Sequence, residues 1–207
     1  MLTADLLVRI PALLLALSFH EAAHALVAHR LGDPTPKAHG RLTLNPLAHL
    51  DPIGLLALWL VGFGWAKPVQ VNPLYFKGDR SRGMFLVGLA GPATNFLMAL
   101  LFSILIATVP WLRQHALVLE IMWTTFVYNV LLGVFNLLPL PPLDGSKVLA
   151  YFLPRKVAYS LSQLEQYGPI LLILLIFTGL LSRILHPLVS MARDIILTVT
   201  ALLVGGF

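Results

Sequence analysis

Cysteine is absent from this chain of 207 residues, and charged residues make up only 11% of it. The first absence rules out disulfides and thiolate metal sites, so any transition-metal site must draw on histidine and carboxylate. The second rules out an ordinary soluble domain, in which roughly 25% of residues are charged. Acid is scarcer than base: nine Asp and Glu stand against fourteen Lys and Arg. This excess of base does not point to nucleic acid. The basic residues are spread along loops between apolar runs, where attraction to anionic lipid headgroups accounts for them. The N-terminus also does not read as a good signal peptide, because the first apolar run is interrupted by Pro11, lacks a basic start and continues into polar sequence.

Hydrophobic residues fill the space, at 58% of the chain and a mean hydropathy of +0.85. Several stretches approach or exceed the ~18 apolar residues that cross a bilayer. The expectation is an all-α polytopic membrane protein in one domain, 1–207, with about five transmembrane helices and no attached soluble module. Spans are predicted near 6–31, 83–109, 117–138, 168–181 and 187–204, with a short helix from Ser146 to Pro154. The last span is the least regular, since Arg193-Asp194 must neutralise itself or lie at the interface. Residues 53–65 are too short to span and carry Gly54, Gly62 and Gly64, which reads as a re-entrant or interfacial segment. Arg41-Leu42-Thr43-Leu44 alternates like a short strand, and residues 67–72 are held extended between prolines. Residues 34–80 are therefore expected to form a small membrane-embedded strand-and-loop region beside the first helix.

Inside the first span lies His20-Glu21-Ala22-Ala23-His24. Histidines four residues apart share one helical face, so both can reach a single zinc ion. The glutamate after the first stands where it can take a proton from a water on that metal. A random shuffle of this composition produces the pattern with a probability of about 0.003. The bland alternative, a satisfied polar cluster in a bundle, needs hydrogen-bond partners that apolar sequence does not supply.

A catalytic zinc usually takes three protein ligands. His29 is nine residues from His20 and faces the other side of the helix, and His39, His49, His115 and His186 fall in loops. Glu120 and Glu165 are expected away from the site, and Asp33 and Asp51 read as turn residues. Asp144 follows the third span at the depth of the histidines, on backbone kept irregular by Pro139, Pro141, Pro142 and Gly145. Such backbone is tolerated in a membrane only where it lines protein or a cavity. Asp144 is the expected third ligand, with a plain turn aspartate as the alternative.

Seven basic residues lie between 30 and 82 (Arg30, Lys37, Arg41, Lys67, Lys77, Arg80 and Arg82), and the loop after the third span adds Lys147, Arg155 and Lys156. The opposite connections hold only Arg113 and Arg183. The positive-inside rule then places the end of the first helix, and the zinc motif with it, towards the cytoplasm.

The zinc motif in a membrane helix, followed by Asn136-Leu137-Leu138-Pro139-Leu140-Pro141-Pro142-Leu143-Asp144-Gly145, resembles the site-2 protease family of intramembrane metalloproteases. The similarity takes in Gly91-Pro92-Ala93-Thr94-Asn95 opening the second span, Asn45-Pro46, and Asp51-Pro52-Ile53-Gly54. It covers roughly residues 10–150, the expected catalytic core being about 6–150 and the C-terminal helices about 168–205. The resemblance implies zinc held by His20, His24 and Asp144, one per chain, with Glu21 as general base. It also places Asn136 near the active site, holding substrate backbone or the oxyanion, with helix capping as the alternative. Asn95 is expected to serve close helix packing. The minimal form of the family is implied, without a PDZ insertion or a nucleotide-sensing module. A single-span membrane protein is the implied substrate. It must unwind to be cut, and segments 41–44 and 67–72 are candidates to pair with it by strand addition. The rival readings are a membrane zinc transporter or metal-handling protein, and a non-catalytic scaffold. No motif specifies an oligomeric state.

Overall fold

The computed structural model describes residues 2–52, 54 and 66–205. Its architecture is a helical bundle in which helix α1 (Leu2–Arg30) packs against α3 (Arg80–Thr108) and α5 (Ala116–Leu137). Small residues let these three backbones approach. Ala12, Ala16, Ala25 and Ala28 of α1 and Ala99 of α3 are buried, in keeping with membrane bundles that associate through close packing rather than hydrophobic exclusion. Gly83, Gly88 and Gly91 of α3 and Gly133 of α5 are buried as well. Short helices α2 (Thr35–Ala38) and α4 (Pro110–Arg113) connect the long ones. Only residues 109–115 link α3 to α5, which leaves no room there for an inserted domain.

The chain then turns through its prolines into α6 (Asp144–Phe152), which lies against α3. Gly145 makes that turn possible: a Cβ on it would run into the carbonyl oxygens of Leu137 and Leu138. The first turn of α6 therefore sits directly on the end of α5. Helix α6 starts at Asp144, two residues before the expected Ser146.

Among the described residues, five helical runs are long and apolar enough to cross a membrane: 7–30, 80–108, 116–137, 155–177 and 180–204. The fourth differs from expectation. It begins at Arg155 as α7 (Arg155–Gln163), passes through a 3-10 turn and continues as α8 (Gly168–Phe177). The polar face of α7 hides this start, because an amphipathic helix lowers local hydropathy without ending the helix. The fifth, α9 (Leu180–Val204), runs through Pro187 and starts after Gly179, whose φ of +70° suits glycine. Arg193 and Asp194 pair with each other at 2.9 Å on its exposed face. Buried Phe126 and Val130 of α5 join Ile196 of α9 and Ala99 of α3 in one core cluster.

The expected strand at 41–44 does not form. Leu44 is exposed, Asn45 caps a 3-10 turn over Pro46–His49, and Arg41 is buried. Its guanidinium donates to the carbonyls of Ala48 and Lys67, tying two loops together. The alternation there reflects one buried side chain in a bent loop, not a ladder. Among the described residues the β contact is a single antiparallel bridge, Leu50 to Ala66. Residues 67–72 form no strand; the Val69 N–H bonds Glu21 of α1 and the Asn72 N–H bonds Asp33 just beyond it. The re-entrant reading of residues 53–65 falls outside the described residues, apart from Gly54.

Candidate metal centre

Helix spacing brings His20 and His24 onto one face of α1, and the α5–α6 turn brings Asp144 to meet them. His20 Nε2 and His24 Nε2 are 3.0 Å apart, and Asp144 Oδ2 lies 3.1 Å from the first and 3.0 Å from the second. All three side chains are buried. Among the described residues they form the one cluster whose ligand atoms could hold a metal ion. His29 points elsewhere, 3.4 Å from the Asp33 carbonyl, and buried His49 bonds the Thr43 carbonyl.

The hydrogen bonds behind these atoms decide what the cluster can hold. Asn95 Nδ2 donates to Ala16 O at 3.2 Å and to Asn129 Oδ1 at 2.9 Å, which turns Asn95 Oδ1 towards His20. His20 Nδ1 must then be the donor across the 2.6 Å contact to that oxygen. Asn129 is itself oriented by donation to Thr125 O at 2.8 Å. His24 Nδ1 faces the Val87 carbonyl at 2.7 Å and can only donate to it. With both Nδ1 atoms protonated, neutral imidazoles direct both Nε2 lone pairs at the same point as a carboxylate oxygen. Three acceptors that close repel one another unless a cation or proton lies between them. Separations of 3.0–3.1 Å approach the ~3.3 Å edge of a tetrahedron with ~2.05 Å zinc–nitrogen bonds. The His₂Asp donor set suits zinc.

Gly91 is the floor of this site. A Cβ there would stand 2.6 Å from His20 Nε2, so α3 passes close only because position 91 has no side chain.

Burial pushes the Asp144 carboxyl up, but in the metal-free cluster, once protons take the place of a cation at the histidine Nε2 atoms, the charge of His24, hydrogen bonds from His20 and His24, and the Lys147 ammonium outweigh it. They hold Asp144 well below the usual carboxylate range. Its Oδ1 is 3.0 Å from Lys147 Nζ. Glu21 is buried beside the cluster, and its Oε2 accepts a 2.9 Å hydrogen bond from the Val69 backbone N–H. Asn136 is half-buried and bonds back to its own helix, donating to Leu132 O at 3.1 Å.

Sequence reasoning assigned Asn95 to packing and passed over Asn129, although both are fully buried. The signal was their polarity inside apolar spans, where an amide is costly without a purpose. Gly91-Pro92-Ala93-Thr94-Asn95 also lies inside α3, not at its start.

A buried His–His–Asp cluster that could hold a metal ion, with both histidines on a helix apolar enough to cross a membrane and a glutamate alongside, is the arrangement of a membrane metallopeptidase. The model for peptidase family M50 matches residues 112–178. Putative zinc metalloprotease YwhC of Bacillus subtilis is 40% identical over 191 residues, covering 89% of this chain and 87% of that protein. Putative zinc metalloprotease Rip2 of Mycolicibacterium smegmatis is 33% identical over 183 residues, covering 85% of this chain and 69% of that protein. Zinc metalloprotease MJ0392 of Methanocaldococcus jannaschii is 30% identical over 112 residues, 53% of this chain and 32% of that protein. No solved structure matches the chain. The chain belongs to peptidase family M50, the site-2 protease family.

Proposed function

We propose that the chain is an intramembrane endopeptidase that binds one zinc ion through His20, His24 and Asp144 and hydrolyses a peptide bond in or near the transmembrane segment of a single-span protein. The observation that carries this reading is the convergence of Nε2, Nε2 and Oδ2 within 3.1 Å, with both imidazole tautomers fixed from behind. Zinc, when bound, lowers the pKa of a water towards ~7 and polarises a carbonyl. Glu21 takes the proton of the attacking water and delivers it to the leaving amine. The Val69 N–H on Oε2 orients the carboxylate and leaves Oε1 for the proton. Asn136 contacts the substrate backbone or the developing oxyanion, and an amide serves there only if it is rigidly held. The active site lies towards the cytoplasmic side of the bilayer, a reading supported by the basic residues at 30–82.

The substrate unwinds and pairs with segment 67–72. Lys67 N and Val69 N are used internally, by His49 O and Glu21, and Pro68 has no N–H. The N–H groups of Gln70 and Val71 take no part in this internal bonding, and that of exposed Gln70 is the donor on which an added strand would register.

Zinc content and cleavage of a single-span test substrate, measured for the wild type and Glu21→Gln, test the reading together. One zinc in both, with cleavage lowered about 10²–10⁴-fold in Glu21→Gln, is the expected result. Zinc in both with equal cleavage, or none by the wild type across a broad substrate panel, would favour metal handling or a scaffold.

A further inference from the structure

Asp144 presents two carboxylate oxygens, and the structure gives them different partners. Oδ2 faces the two histidine nitrogens, while Oδ1 is 3.0 Å from Lys147 Nζ. A buried carboxylate with both oxygens open can close on a metal through both, filling a position that a peptidase needs for water. Lys147 removes that option. Its i,i+3 spacing from Asp144 suits a helical ion pair, but a cation in the first turn also opposes the helix dipole, so the net gain to the helix is small. The stem is held from the other side. A Cβ on Gly88 would be 3.0 Å from Lys147 Cβ and 3.1 Å from Asp144 O, so α3 lies flush against this turn.

Lys147 also borders a cavity of about 170 Å³ between the start of α3, α6 and α7, lined by Ser81, Met84, Tyr151, Leu161 and Glu165 among others. Its side chain is 31% exposed. The ammonium thus stands between the metal centre and a space that a small organic cation can enter.

We propose that Lys147 is a positioning residue: it occupies Asp144 Oδ1, keeps Asp144 a one-oxygen donor, and does so by a charge that can be supplied from the adjacent cavity. The proposal rests on the metallopeptidase reading, but its primary readout does not require cleavage. Full-length protein loaded with Co²⁺ reports its donor number through the visible d–d bands, which weaken as coordination number rises. Lys147→Ala should weaken these bands and lower cleavage about 10–100-fold, the range typical of residues that orient metal ligands. Propylammonium added to Lys147→Ala should restore band intensity and most of the cleavage. Lys147→Arg should recover most of both without added amine. Lys147→Met, which keeps the bulk of the stem, should show the weakened bands and no recovery with propylammonium. A wild-type cobalt spectrum in Lys147→Ala and Lys147→Met overturns the proposal, as does a changed spectrum that neither arginine nor propylammonium restores. Absence of cleavage by the wild type would instead count against the peptidase reading, with the cobalt spectra still deciding the role of Lys147.

Discussion

One methyl group at position 91 is enough to disturb the metal centre. Gly91→Ala places a Cβ into the space taken by His20 Nε2 and its neighbours, and neither ring can retreat without losing Asn95 Oδ1 or Val87 O. Metal affinity should fall at least tenfold with helix content unchanged, as read by chelator competition and circular dichroism. Asn95→Leu removes the acceptor behind His20 and should cost about 10–100-fold in metal affinity. Asn95→Asp keeps an acceptor for His20 but turns a second oxygen towards Ala16 O and Asn129 Oδ1, so it should recover only part of that loss. Isothermal titration with zinc separates the two variants. At this scale the sequence was informative where chemistry is written in spacing: His20, Glu21 and His24 on one helical face, and Asp144 in its proline-rich turn. It was silent where a role depends on how helices rotate about their axes. Asn95 and Asn129 meet across two helices, and the Val87 carbonyl and Val69 N–H carry no side-chain signature at all.

The long helices were legible because a membrane demands ~20 apolar residues and allows few backbone alternatives. Boundaries were less so. Helix α7 was missed as part of the fourth run because its polar face breaks the hydropathy of a continuous helix. The 41–44 segment misled because a period of two in four residues is also what one inward side chain produces, here Arg41. The 67–72 segment carries the prediction that belongs to this scale. Gln70→Pro leaves the internal bonds of Lys67, Val69 and Asn72 in place and removes the N–H proposed to meet the substrate. Cleavage should drop about tenfold or more while zinc content stays at the wild-type value. Full activity in this variant would remove strand addition from the mechanism.

Across the whole molecule, the centre ties α1, α3, α5 and α6 into one unit, so metal occupancy and stability are coupled. Zinc at a thousandfold excess over Kd should stabilise the fold by about 4 kcal/mol, visible as a lowered melting temperature after chelation. Protons compete with metal for the two Nε2 atoms. Asp144 is held well below the usual carboxylate range and stays ionised as pH falls. Metal affinity should therefore decline on acidification through histidine protonation, and a pH series of zinc binding checks the sign. The Val69 N–H on Glu21 has a consequence for selectivity. The backbone that a substrate would grip is the same backbone that holds Glu21, the proposed proton acceptor. A poorly seated peptide that drags this segment out of line would misdirect the acceptor and be released uncut. Discrimination between substrates would then show in kcat more than in the strength of binding, and the enzyme would weigh its substrates by how well they hold still.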